Sequence, residues 1–174
     1  TGGTNTAKKI IKNSANNFAA TNLELGGKSP LVIFDDADIE SAANGIIAGN
    51  FGDSGQSCVA GSRVIVQKNI SSKLKDIIKQ KSENIIVGNP LDPKTNLGPL
   101  CTSKQIEIIE NTINKSVSQG AEIIFGGKKI EKEGNYFEPT LIYCPHRDIE
   151  TLKIEMFGPV ISLIEFDSEE DAID

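Results

Sequence analysis

Two side chains in this sequence have the type and setting for covalent chemistry, Cys58 and Glu24. Cys58 ends the run Gly55-Gln56-Ser57-Cys58, with Gly52 and Gly55 before it and Gly61 after it. Glycines on both sides let the backbone turn sharply and approach other groups closely. A reactive thiolate needs partial exposure with backbone donors or positive charge nearby, and a loop held between a helix and a strand can supply both. The competing reading is that a free cysteine packs as a small hydrophobe. Cys101, after Gly98-Pro99-Leu100, and Cys144, after a strand-like run, lack the loop setting and are read as packing residues. Glu24 stands between Leu23 and Leu25, followed by Gly26 and Gly27. Partial desolvation by such neighbours would raise its pKa toward that of a general base; the alternative is a solvent-facing glutamate on an alternating strand. Thr1-Gly2-Gly3-Thr4 ahead of a helical pattern suggests phosphate binding at a helix N-terminus. It fits neither the Gly-x-Gly-x-x-Gly fingerprint nor a P-loop, and a plain strand-to-helix turn explains it equally well.

These residues need elements to hold them. Ala7, Ile10, Ile11, Ser14, Ala15 and Phe18 recur at helical spacing over 4–19, with Thr4 placed as an N-cap. A short apolar run at 31–34 is of strand type. Asp35-Asp36-Ala37-Asp38 then supplies a capping acid for a helix whose face is Ile39, Ala42, Ala43, Ile46, Ile47 and Phe51. The segment 52–58 is too rich in glycine and polar residues to stay helical, and 63–67 is a strand. Leu74, Ile77, Ile78 and Ile85 predict a helix ending near Gly88. Ile106, Ile109, Ile113 and Val117 predict another, capped by Gly120. Strands follow at 122–125, 140–143 and 160–166, and Asp167-Ser168 opens a last helix. Strands alternating with helices predict an α/β layer structure.

Composition narrows the function classes. The 174 residues carry a net charge of −6, which argues against a nucleic-acid or anionic-membrane partner, since both need clustered Lys and Arg. No apolar run approaches the roughly 20 residues of a membrane span. Three cysteines far apart make a poor disulfide framework, and a cytoplasmic location is expected. No metal site is expected either: there is no Cys-x-x-Cys pair, and the single histidine, His146, lies in a polar turn read as solvated.

Taken together, the segments resemble the aldehyde dehydrogenase superfamily. Residues 23–30, Leu-Glu-Leu-Gly-Gly-Lys-Ser-Pro, look like its glutamate signature, and residues 51–58, ending at Cys58, resemble its cysteine signature. Glu24 and Cys58 are 34 positions apart (58 minus 24), as that pattern expects. Val87-Gly88-Asn89-Pro90-Leu91-Asp92-Pro93 with Gly98-Pro99-Leu100, Tyr136-Phe137-Glu138-Pro139-Thr140, and Glu155-Met156-Phe157-Gly158-Pro159-Val160 continue the likeness in order.

The resemblance implies a fold, an α/β three-layer sandwich with a mostly parallel sheet and flanking helices, truncated at both ends. It implies that 1–26 are the tail of a cofactor-binding domain and its linker, and that 27–174 are the thiol-bearing catalytic domain, incomplete at its C-terminus. Cys58 is implied as nucleophile and Glu24 as general base. Glu155 is implied to bind the nicotinamide ribose hydroxyls, with Phe157 packing near the nicotinamide. Gly2 and Gly3 are placed where the family's Thr-Gly-Ser segment approaches the cofactor, Gly3 replacing the usual serine. The implied activity is oxidation of a small aldehyde to an acid with NAD or NADP, through a thioester, in a parent enzyme that is a homodimer or homotetramer. The family's side-chain oxyanion donor belongs upstream of Thr1, so the isolated chain is expected to be an inactive fragment. The alternatives are a CoA-acylating semialdehyde dehydrogenase, disfavoured by the presence of Glu24, and a non-catalytic relative that kept the fold.

Overall fold

The apolar periodicities resolve into six helices and five strands in a computed structural model that describes all of residues 1–174. In chain order these are α1 (Thr4–Ser14), β1 (Pro30–Ile33), α2 (Ile39–Phe51), β2 (Arg63–Gln67), α3 (Lys68–Ser82), α4 (Ser103–Ser118), β3 (Glu122–Phe125), β4 (Thr140–Tyr143), α5 (Glu150–Lys153), β5 (Val160–Phe166) and α6 (Glu169–Ile173). The strands form one sheet in the order β1-β2-β5-β4-β3. β1, β2, β5 and β4 run parallel, with Leu31 opposite Val64, Ile65 opposite Ile164 and Leu141 opposite Ile161. β3 closes the far edge antiparallel to β4.

Two apolar clusters make the layers. On one face Val64, Val66, Leu141, Ile161 and Leu163 meet Ala43 and Ile46 of α2 and Leu74 and Ile78 of α3. On the other, Ile142 and Val160 meet Ile106, Ile109 and Ile113 of α4 and Leu152 of α5. Strands covered on both sides read as continuous apolar runs, and β4 and β5 do: Leu141, Ile142, Ile161 and Leu163 are all fully buried. Each such side chain contributes about 1.5–3 kcal/mol. The three-layer sandwich expected from the sequence is the fold observed.

Local signals set the element ends. Asp38 caps α2, its carboxylate accepting from the Ser41 N–H at 2.7 Å. Ser168 does the same for α6 through Asp171 N. Gly120, at φ +101°, follows α4 as expected. The first helix departs from expectation. Gly3, not Thr4, is its N-cap residue, and α1 stops at Ser14 before a 3-10 turn. Phe18 then adopts a left-handed conformation and is 95% exposed, so it does not extend the helical face. α3 ends at Ser82, short of Gly88. α5, four residues long, had no periodicity to reveal it. No helix is long and apolar enough to cross a membrane.

Candidate active site

β1, β2 and β5 are adjacent and parallel, so the segments entering them arrive at one edge of the sheet. Those segments carry Glu24 (before β1), Cys58 (before β2) and Glu155 with Phe157 (before β5). The site therefore forms at the amino ends of the strands, whereas open α/β sheets usually bind ligands at the carboxyl ends. One cleft of about 330 Å³ is lined by Thr1, Gly2, Gly3, Glu24, Leu25, Gly26, Cys58, Gln105, Ile108, Glu155 and Phe157. All six residues singled out in the sequence line it.

Each segment is fixed by specific contacts. After α2 the chain makes a tight turn in which Asp53, Ser54 and Gly55 are all left-handed, at φ 49°, 56° and 71°. That conformation is unfavourable for Asp and Ser. It is held where Ser54 Oγ donates to the Gly98 carbonyl at 3.0 Å and Cys101 N donates to Gln56 Oε1 at 3.0 Å. Gly55 lies so close to the Gly158 backbone that a Cβ would stand 2.2 Å from its carbonyl oxygen. This contact binds the cysteine loop to the Glu155–Gly158 segment. Cys58 follows in a turn closed by Ala60 N to Ser57 O at 3.2 Å, its thiol exposed. The Cys58 N–H makes no hydrogen bond within the chain.

Glu24 is set by the first residues of the chain: Gly2 N donates to the Glu24 carbonyl at 3.0 Å, and Gly2 pairs with Leu25 as an isolated parallel bridge. Its side chain is exposed, and the partial desolvation expected of it is absent. Leu23 and Leu25 are only half-buried and form no apolar pocket around the carboxylate. Glu155 is anchored more firmly. Its Oε1 accepts from Gly27 N at 3.0 Å, while Oε2 has no partner. Gly26 makes this possible, since a Cβ there would lie 1.9 Å from Oε2. Phe157 is left-handed at φ 45° and partly exposed. Strain of this kind is typical of ligand sites.

Sequence reasoning missed three contributors. Gln105, on the first turn of α4 and outside its apolar stripe, donates through Nε2 to the Met156 carbonyl and lines the cleft. Lys28 lies behind Glu155, with Nζ 3.3 Å from Ser62 Oγ. Burial first, then the charge of Arg63, brings its ammonium down to about 8, against smaller opposing effects of Cys144 and Glu155. Buried Asn50 ties α2 to the exit of the cysteine loop. Only its position inside an apolar helix face could have drawn attention to it. Of the two cysteines read as packing residues, Cys144 is fully buried, and burial pushes its thiol up to about 11. Cys101 is exposed, a correction: it sits at a helix entry whose apolar contacts are made by Leu100 and Ile106 instead. His146 is exposed, as expected, with Nε2 3.1 Å from the Gln119 carbonyl.

The chain as a whole is similar to known dehydrogenases. The (Z)-2-((N-methylformamido)methylene)-5-hydroxybutyrolactone dehydrogenase of Acinetobacter baylyi is 45% identical over 99% of the chain. A betaine aldehyde dehydrogenase of Agrobacterium fabrum is 40% identical over the same share. The crystal structure of betaine aldehyde dehydrogenase from Staphylococcus aureus in complex with NAD+ superposes with a TM-score of 0.93 at 38% identity, over 99% of the chain. The chain spans about a third of each: 36% of the first two and 35% of the third. The model of the "Aldehyde dehydrogenase family" matches residues 1–174, and the chain belongs to that family.

Proposed function

We propose that these residues form the thiol-bearing part of an active site that oxidises a small aldehyde to a carboxylic acid with NAD or NADP. The observation that carries this reading is the convergence of Cys58, Glu24, Glu155, Phe157, Gly2 and Gly3 on one cleft. The cleft fits part of a dinucleotide by its donor set. Glu155 offers a free, fixed carboxylate oxygen suited to accepting from vicinal hydroxyls, Phe157 offers an aromatic surface, and the glycines at 2, 3 and 26 leave backbone open to close approach. The Staphylococcus relative's NAD+ complex supports the same assignment. In this reading residues 1–26 belong to the cofactor-binding domain and 27–174 to the catalytic domain.

The Cys58 thiolate adds to the aldehyde carbon, forming the C–S bond and an alkoxide. The Cys58 N–H, unpaired within the chain, is the donor proposed for that oxyanion. Bound NAD(P)+ supplies the hydride acceptor. Loss of hydride from the carbon leaves a thioester on Cys58. Glu24 then takes a proton from water, the water oxygen adds to the thioester carbon, and the C–S bond breaks to release the acid and restore the thiol. A cytoplasmic homodimer or homotetramer, free of nucleic-acid and membrane partners, is the setting proposed for it.

The test is Glu24→Gln in the active enzyme. The first-turnover burst of NAD(P)H should persist while the steady-state rate falls by about 10²–10⁴-fold. An unchanged steady-state rate would remove Glu24 from the mechanism. In the same assay the 174 residues alone should give no turnover.

A further inference from the structure

We propose that Asn50 is a positioning residue, clamping the exit of the nucleophile loop to α2. Asn50 is 1% exposed, among the apolar side chains of α2. Its Nδ2 donates to its own helix at Ile46 O, 2.9 Å, and across the loop to Gly61 O, also 2.9 Å. Its Oδ1 is buried with no partner. Two carbonyls facing one end of the amide can only be met by the NH₂ group, so this orientation is forced.

An apolar isostere would fill the same space among the α2 side chains but could donate to neither carbonyl. A polar side chain kept in an apolar layer and bonded to two separate segments points to a use in positioning what it bonds. The use is visible in the loop. Before Cys58 the chain is pinned by Ser54, by Gly55 against Gly158 and by Gln56. From Cys58 to Gly61, the Asn50–Gly61 bond is the one side-chain hydrogen bond. The rest is the turn from Ala60 to Ser57 and the short Ser62 N to Ala60 O contact of 2.7 Å. Gly61 is also a tight site, since a Cβ there would meet Leu31 at 2.4 Å. Asn50 thus fixes the far side of the turn that presents the thiol and the free Cys58 N–H.

The proposal rests on the reading of Cys58 as nucleophile only for its effect on the thiol; the clamp itself is tested separately. The experiment compares the chain with Asn50→Leu, which matches the shape and removes both bonds, and Asn50→Ser, whose hydroxyl can bond Ile46 O but not reach Gly61. Amide hydrogen exchange at Ala60 and Ser62, the melting temperature, and the alkylation rates of Cys58 and Cys101 are measured. Both variants should keep the melting temperature within a few degrees. Exchange at Ala60 and Ser62 should accelerate about fivefold, the equivalent of one net hydrogen bond, with helix amides unchanged. The Cys58-to-Cys101 rate ratio should fall by a similar factor. Unchanged exchange in both variants overturns the clamp. Faster exchange with an unchanged rate ratio overturns its effect on the thiol. If Asn50→Leu fails to fold, Asn50→Ser decides alone. A wild-type Cys58 no faster than Cys101 defeats the proposed catalytic reading and leaves the clamp to the exchange data.

Discussion

The three cysteines occupy three different environments, and reactivity should follow environment rather than residue type. Cys58 is exposed in a turn beside its own unpaired N–H, and Cys101 is exposed at the entry to α4. Cys144 is fully buried, its sulfur 3.5 Å from Thr151 Oγ1, with burial holding its thiol near 11 against an ordinary 9.0. Two pKa units alone make its thiolate about a hundredfold scarcer near neutral pH, and burial slows attack further. Iodoacetamide at pH 8 should therefore label Cys58 first and Cys101 second. Cys144 should be labelled at least about a hundredfold more slowly until the chain is unfolded. Peptide mapping by mass spectrometry reads the order directly, and labelling of Cys144 in the folded chain at the rate of Cys58 would contradict the burial argument.

Among the elements, much was legible in the sequence because single-element signals are local. The bounds of β2, β3, β4 and β5, the apolar face of α2, and Ile106, Ile109 and Ile113 of α4 follow from period and caps, and the structure agrees with them. Val117, expected on the same α4 face, is 45% exposed, and Ser116 is buried in its stead. What was not legible depends on contacts far apart in sequence. Nothing in the spacing of Ile10, Ile11 and Phe18 shows that only Ala7 of α1 would be buried. No local pattern says that the amino ends of β1, β2 and β5 share one edge. Gly26 shows the difference well: in sequence it is half of a flexible pair, and in the fold it is the flat floor beneath Glu155. Gly26→Ala should push the Glu155 carboxylate away and break its bond from Gly27 N. Because Gly26 and Glu155 are both exposed, stability should change by no more than about 0.5 kcal/mol. Loss of charge-assisted bonds worth about 1.5–3 kcal/mol should weaken dinucleotide binding by about 10- to 100-fold in the active enzyme. Cofactor titration beside a melting curve checks both, and unaltered affinity would detach Glu155 from cofactor binding.

For the molecule as a whole, Lys28 and Cys144 tie stability to alkaline pH with opposite signs. The Lys28 ammonium is held at about 8, below its ordinary 10.5, chiefly by burial. Between those values the unfolded chain keeps a proton that the folded chain has lost, so stability rises with pH. Cys144 behaves in reverse. Its thiol is held at about 11, above the ordinary 9.0, again chiefly by burial. Between those values the unfolded chain has lost a proton that the folded chain keeps, so stability falls as pH rises. Each group feels the other's charge: the thiolate raises Lys28 and the ammonium lowers Cys144. The two contributions, each on the order of 3 kcal/mol over its full range, largely offset one another where they overlap. Substitution separates them. Relative to wild type, Cys144→Ala should make stability rise more steeply from pH 8 to 10, by about 1 kcal/mol. Lys28→Met should make it rise less or fall, by about 2 kcal/mol. Tyr143, raised chiefly by burial and by Glu165, stays in place in both variants, and Cys144→Ala removes only one of its smaller upward influences. Urea unfolding at pH 8, 9 and 10 measures the three slopes. If both variants depart from wild type in the same direction, the ammonium and the thiol do not oppose one another in the folded protein.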